Sequence, residues 1–144
     1  MFADGAGKTK IYEALGDLAG VTLMMTVDSL ISRAKQQIVL SCDNFNYKMV
    51  SSEKGLQLGR SEDCDLTVGA ELASRLHAKI TVKRGEFILV DQSTNGTHVK
   101  TEDNVRHYLR REELALSGSG EISLGCRVSV SKTKELIRYH VKSL

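Results

Sequence analysis

Proline is absent from this 144-residue chain, and so are paired cysteines. Without proline, no turn can be located from a fixed φ angle. The three cysteines, Cys42, Cys64 and Cys126, lie far apart and form no C-x-x-C pair. This spacing argues against a disulfide framework and against a zinc cluster, so we expect reduced thiols.

Long hydrophobic runs and clustered basic residues are also missing. No apolar stretch approaches the ~20 residues that a membrane-spanning helix needs, and Asp4 and Gly5 interrupt the start of the chain before a secretory signal could form. The 20 basic residues are scattered among 18 acidic ones, whereas a nucleic-acid-binding surface needs a clustered patch. We therefore expect a cytoplasmic protein whose partner is neither a membrane nor a nucleic acid.

The pattern of apolar residues changes at about residue 37. From Leu15 to Ala34, apolar side chains recur every three or four positions, which is the pattern of an amphipathic helix. Gly16 and Gly20 divide this helical segment, residues 1–36, into a short piece and a longer one. Because its apolar face needs a covering surface, we expect the segment either to dock on the rest of the chain or to pair with a second copy.

Residues 37–144 show short strand-like runs separated by glycine, asparagine and aspartate. These runs are 38–40, 47–50, 56–58, 80–82, 87–90, 122–124 and 136–141. Their close spacing predicts an all-β domain, an antiparallel β-sandwich, preceded by the short α-helical segment. The tetrapeptide 83–86 predicts a tight hairpin between two of the strands.

Three polar motifs stand between or after these runs. They are Gly59-Arg60, Ser74-Arg75-Leu76-His77 and Ser93-Thr94-Asn95-Gly96-Thr97. A phosphorylated threonine has about −1.5 to −2 charges and three acceptor oxygens, so a selective site for it needs a fixed cation and several neutral donors. In this order, the motifs resemble the forkhead-associated (FHA) domain, whose members recognise phosphothreonine in partner proteins.

The resemblance covers roughly residues 38–144 and implies the ligand-binding residues. Arg60 would be the main phosphate ligand, because a guanidinium engages two oxygens at once. Ser74 would donate its hydroxyl to the phosphate, and Arg75 would add a second charged contact. Thr94 would complete the phosphate site, and Asn95 would bind the peptide backbone beside it. Variable loops at 69–72 and 97–103 would read the residues that flank the phosphothreonine.

The resemblance also implies that Gly59, His77 and Gly96 support the site structurally. His77 would be buried and bonded to local backbone, and Gly96 would have a positive φ. Taken singly, Gly-Arg is more often a solvated strand end and Asn-Gly an ordinary turn, so the prediction depends on the joint order of the motifs. A hydrolytic triad of Ser74, His77 and Asp91 is disfavoured, because Ser74 lacks the G-x-S-x-G nucleophile elbow.

The first 36 residues resemble the opening of a class III nucleotide cyclase domain. The likeness depends on Phe2-Ala3-Asp4, Gly7, Thr9, Tyr12-Glu13 and Leu15-Gly16-Asp17. Asp4 matches a metal ligand of that family, but the other catalytic residues of a cyclase have no counterpart in this chain. We therefore interpret Asp4 as vestigial and expect no metal, no cofactor and no catalysis.

The expected function is binding of phosphothreonine peptides in bacterial serine/threonine kinase signalling. Two alternatives remain open from the sequence. The chain would be a regulatory or adaptor partner of an intact nucleotide cyclase, contacting it through the N-terminal helices, or it would be a scaffold that does not bind phosphate. The same helices would also allow a homodimer.

Overall fold

The computed structural model describes residues 35–43, 45–51 and 55–143, and these residues form eleven β-strands. The strands are β1 (Gln36–Cys42), β2 (Phe45–Val50), β3 (Gly55–Gly59), β4 (Leu66–Thr67), β5 (Ala78–Lys83), β6 (Glu86–Asp91), β7 (Thr97–Thr101), β8 (Arg106–Leu109), β9 (Glu113–Leu116), β10 (Ser119–Leu124) and β11 (Ile137–Ser143). Single turns of 3₁₀ helix follow β10 at Val128–Val130 and Thr133–Glu135. The prediction of an all-β domain is confirmed.

The strands form a sandwich of two sheets. One sheet has the order β2-β1-β11-β10-β7-β8, and the other has the order β4-β3-β5-β6-β9. The pairings are antiparallel except that of β3 with β4, which is parallel. The predicted antiparallel sandwich is therefore correct apart from this short pair, in which Leu58 lies opposite Leu66.

The core consists of the inward-facing positions of both sheets. Along β1, Ile38, Leu40 and Cys42 are buried while the residues between them are half-buried, which is the period of two expected for a strand with one covered face. Phe87 and Leu89 of β6 are also fully buried. Burial of each such side chain stabilises the fold by about 1.5–3 kcal/mol.

The hairpin predicted at 83–86 is confirmed. β5 and β6 pair from Lys83 and Glu86 onward, so Arg84 and Gly85 form a two-residue loop. Both loop residues have positive φ, 54° and 79°. This is the conformation of the type I′ turn, whose twist matches that of the paired strands.

Other predictions need correction or lie outside the described residues. The helical segment at 1–36 lies outside them except for its last two residues, and Gln36 already belongs to β1. The prediction of a variable loop at 97–103 is wrong for most of this range, because residues 97–101 form β7 and only a short turn follows. No helix in the described part of the chain has the length and apolar character needed to cross a membrane.

Candidate phosphopeptide-binding site

Three connections meet at one end of the five-stranded sheet. The register places Leu58 of β3 opposite Ala78 of β5, and Ala78 opposite Asp91 of β6. The segments that follow β3, precede β5 and follow β6 therefore begin side by side. We call them the 60-loop (residues 60–65), the 74-loop (68–77) and the 94-loop (92–96). Each contains one of the three polar motifs.

Arg60 lies at the junction of the 60-loop and the 74-loop. Its backbone N–H donates to the Ser74 carbonyl at 3.0 Å, and its side-chain Nε donates to the Ala73 carbonyl at 3.0 Å. The residue is exposed, and no carboxylate among the described residues forms an ion pair with it. The Nε bond orients the guanidinium and leaves its two Nη groups for a ligand.

Gly59 allows β3 to lie directly against the 74-loop. A Cβ at this position would overlap the backbone carbonyl of Arg75 and would lie 2.9 Å from the backbone nitrogen of His77. That nitrogen donates to the Leu58 carbonyl at 2.9 Å. The close approach of two backbones explains why a glycine precedes Arg60.

Ser74, Thr94 and Asn95 connect the 74-loop to the 94-loop. The Thr94 backbone N–H donates to Ser74 Oγ at 3.2 Å, so the hydroxyl hydrogen of Ser74 remains able to donate. Asn95 Nδ2 donates to the Leu72 carbonyl at 3.0 Å, and its Oδ1 has no partner in the described part of the chain. Arg75 is exposed, and only its carbonyl is used internally, accepting from the Ser61 N–H at 3.1 Å.

His77 is fully buried behind these loops. Its Nδ1 accepts from the Ser74 backbone N–H at 2.9 Å, so the proton is on Nε2, which donates to the Gly96 carbonyl at 2.8 Å. Burial lowers the pKa of His77, and the ring is therefore neutral at pH 7. With both ring nitrogens bonded to backbone, His77 does not contact Ser74 Oγ as the base of a triad would.

A buried polar network under the 94-loop was missed by the sequence analysis. The Asp91 carboxylate accepts hydrogen bonds from Ser93 Oγ and Thr97 Oγ1, both at 2.6 Å, and from the backbone N–H of Arg111 at 2.9 Å. Burial by itself would raise the pKa of Asp91, but these hydrogen bonds outweigh it and lower the pKa. Ser93 Oγ in turn accepts from the Gly96 N–H at 2.7 Å. The network fixes the turn that presents Thr94 and Asn95.

Tyr108 on β8 was also missed, since β8 itself was not predicted. Gly96 has a φ of +88°, and a Cβ there would overlap the Tyr108 ring. The Tyr108 hydroxyl donates to the Asn95 carbonyl at 3.4 Å. The ring therefore forms a wall beside the 94-loop.

Across the described residues, no group of three or more His, Cys, Asp or Glu side chains could hold a metal ion, and Asp4 lies outside them.

The fold and the order of these loops are similar to those of FHA domains. The family model of the FHA domain matches residues 56–125, which include all three loops. A comparison with curated protein sequences finds no match. The cyclase-like residues lie outside both the family match and the described residues.

Solved structures with the same fold include three domains of low sequence identity. Rv1747 FHA-1 of Mycobacterium tuberculosis is 16% identical, with a TM-score of 0.56, and the match covers 75% of this chain and 98% of that one. The N-terminal FHA domain of S. cerevisiae Rad53p, solved with a phosphothreonine peptide, is 20% identical, with a TM-score of 0.55 and coverage of 74% and 93%. The FHA domain of Chlamydia trachomatis CT664 is 16% identical, with a TM-score of 0.53 and coverage of 77% and 99%.

Proposed function

We propose that this chain is a non-catalytic module that binds phosphothreonine peptides in bacterial serine/threonine kinase signalling. The supporting observation is the meeting of three loops that present the Nη groups of Arg60, the hydroxyl of Ser74 and the Oδ1 of Asn95. A cytoplasmic location belongs to the same proposal.

The donors suit a phosphate dianion. Arg60 engages two phosphate oxygens with its guanidinium, and the Ser74 hydroxyl donates a hydrogen bond to the third phosphate oxygen. Arg75 and the side chain of Thr94 are exposed on the same loops and add further donors. Asn95 then binds the peptide backbone beside the phosphate. The Rad53p domain, which shares the fold, was solved with a phosphothreonine peptide.

Peptide titration tests this function. We expect a phosphothreonine peptide from a degenerate library to bind with a Kd of about 1 µM, equivalent to about −8 kcal/mol, and the unmodified peptide not to bind. Arg60→Ala should abolish binding. Arg138→Ala is the control, because Arg138 is an exposed arginine on β11, in the other sheet, and lies outside the three loops. Equal binding of the phosphorylated and unmodified peptides would show that the chain is a scaffold instead.

Phosphoserine peptides test the selectivity of the same site. The threonine γ-methyl contributes about 0.8 kcal/mol when buried, so contact with the methyl alone gives only a several-fold preference. A larger preference would mean that the phosphate is reoriented in the serine complex. The predicted contacts with a nucleotide cyclase or a second copy depend on residues 1–36, which lie outside the described residues.

A further inference from the structure

A polar cavity adjoins the 94-loop at Asn95. It has a volume of about 510 Å³ and lies between β7, β8 and the segment after β10. Its lining includes Asn95 of the 94-loop, Tyr108 and Arg127. Arg106, His98 and His107 also line it.

The cavity is positive, and no acidic side chain lines it. Its lining includes two arginines and two histidines but no aspartate or glutamate. Within the described part of the chain, neither Arg106 nor Arg127 forms an ion pair. Burial first, and the charge of Arg127 second, lower the pKa of His98. The charge of Arg127 therefore acts on His98, a side chain that lines the cavity.

The local structure holds these groups in place. The rings of His98 and Tyr108 are in contact in a tilted arrangement, with centroids 4.7 Å apart and an angle of 41° between their planes. The Gly125 N–H donates to the Gly96 carbonyl at 3.0 Å, so the segment that carries Arg127 begins at the 94-loop. The Arg127 carbonyl accepts from the Val130 N–H at 3.1 Å, which closes a turn around Arg127. A peptide whose backbone crosses Asn95 therefore reaches the cavity within a few residues.

We propose that this cavity binds a second anionic group of the same partner, a carboxylate or a second phosphate close in sequence to the phosphothreonine. The inference rests on the proposed function and names a further feature of the partner. No aspartate or glutamate lines the cavity, so the protein itself supplies no counter-charge to Arg106 and Arg127 there. An anionic side chain of the partner that enters the cavity supplies the counter-charge that the two arginines lack there.

A peptide panel tests this second site. The parent peptide has one phosphothreonine and neutral flanks; a glutamate, or alternatively a second phosphothreonine, is then placed at each flanking position in turn. Affinities for the full chain are measured by fluorescence anisotropy at constant ionic strength. We expect at least one position on one side to strengthen binding about five- to tenfold, between the value of an exposed ion pair and that of a charge-assisted hydrogen bond. A larger gain from the glutamate identifies a carboxylate site, and a larger gain from the second phosphate identifies a phosphate site.

Arginine variants show whether the gain arises in the cavity. Arg127→Gln and Arg106→Gln should each bring the acidic peptide close to the affinity of the parent peptide. Arg138→Gln removes the same charge from the outer face of β11 and should preserve the gain. Since all three side chains are exposed, circular dichroism should show equal folding.

Three results would overturn the inference. The first is that no position strengthens binding although the parent peptide binds, which would leave the proposed function intact. The second is a gain that survives in both Arg127→Gln and Arg106→Gln. The third is an equal loss in Arg138→Gln, which would indicate only the net charge of the chain. If the parent peptide itself does not bind, both the inference and the proposed function fail.

Discussion

Replacing Arg60 by lysine separates the geometry of the proposed site from its charge. Arg60→Lys keeps the positive charge and a side chain of similar length. It removes the Nε donor that binds the Ala73 carbonyl at 3.0 Å, and it removes the planar pair of Nη groups. The orientation toward the ligand is therefore lost while the long-range attraction to phosphate stays.

The expected loss of affinity follows from the bonds that disappear. A lysine ammonium replaces two parallel bonds to phosphate by one, and a hydrogen bond to a charged group contributes about 1.5–3 kcal/mol. The affinity should therefore fall by roughly 10- to 150-fold. Loss of the Ala73 bond should in addition lower the free energy of unfolding by about 1 kcal/mol. Arg60→Ala should bind more weakly than Arg60→Lys, because it also removes the charge.

Isothermal titration with one phosphothreonine peptide measures all of these variants. Arg138→Lys serves as the matched control, since it makes the same exchange on an exposed strand position. Urea unfolding gives the change in stability separately. If Arg60→Lys binds as tightly as the natural protein, bidentate recognition by Arg60 is wrong, whatever happens to stability.

Two further predictions concern the residues behind the loops. Gly59→Ala should lower the free energy of unfolding by about 2–4 kcal/mol in urea unfolding, because the added Cβ would overlap the Arg75 carbonyl. Gly69→Ala is the control, because a Cβ at Gly69 meets no atom within 4 Å. It should change the free energy of unfolding by less than about 1 kcal/mol. The lowered pKa of His77 means that its contribution to stability is complete above the unfolded-state pKa of about 6.5 and is lost as the pH falls below it. Urea unfolding between pH 7.5 and 5 should thus show a loss of stability that is smaller in His77→Gln, and an equal loss in both proteins would refute this assignment.

The fold was predictable where the core is apolar and less so where it is polar. The runs that became β1, β3, β6 and β11 contain Ile, Leu, Val or Phe at alternate positions, and these bury well. β7 was interpreted as part of a variable loop at 97–103 because of the resemblance to the FHA domain, and its first residue is the polar Thr97. That side chain is nevertheless fully buried, since its hydroxyl donates to the Asp91 carboxylate. A buried polar residue with a distant partner leaves no periodic signal in the sequence.

The site was predictable only as a set of motifs. Arg60, Ser74 and Asn95 could be named because they occur in short recognisable runs that the fold places on adjacent loops. Tyr108 could not be named, because it reaches the 94-loop from β8, whose position depends on strand pairing. β8 pairs with β7 in the register that places Tyr108 opposite His98. Only that register brings the Tyr108 ring to Gly96.

The hydrogen bonds between the loops define two groups of residues with different roles. Ser74 is held by three contacts, through its carbonyl to the Arg60 N–H, its N–H to His77 Nδ1 and its hydroxyl to the Thr94 N–H. Loops that the protein's own backbone holds in this way lose little conformational entropy on binding. His77 bonds to both the 74-loop and the 94-loop, so its removal should loosen two loops of the proposed site at once. Arg75 uses only its carbonyl internally, so we expect replacement of its side chain to change peptide affinity alone, whereas replacement of His77 should change affinity and stability together.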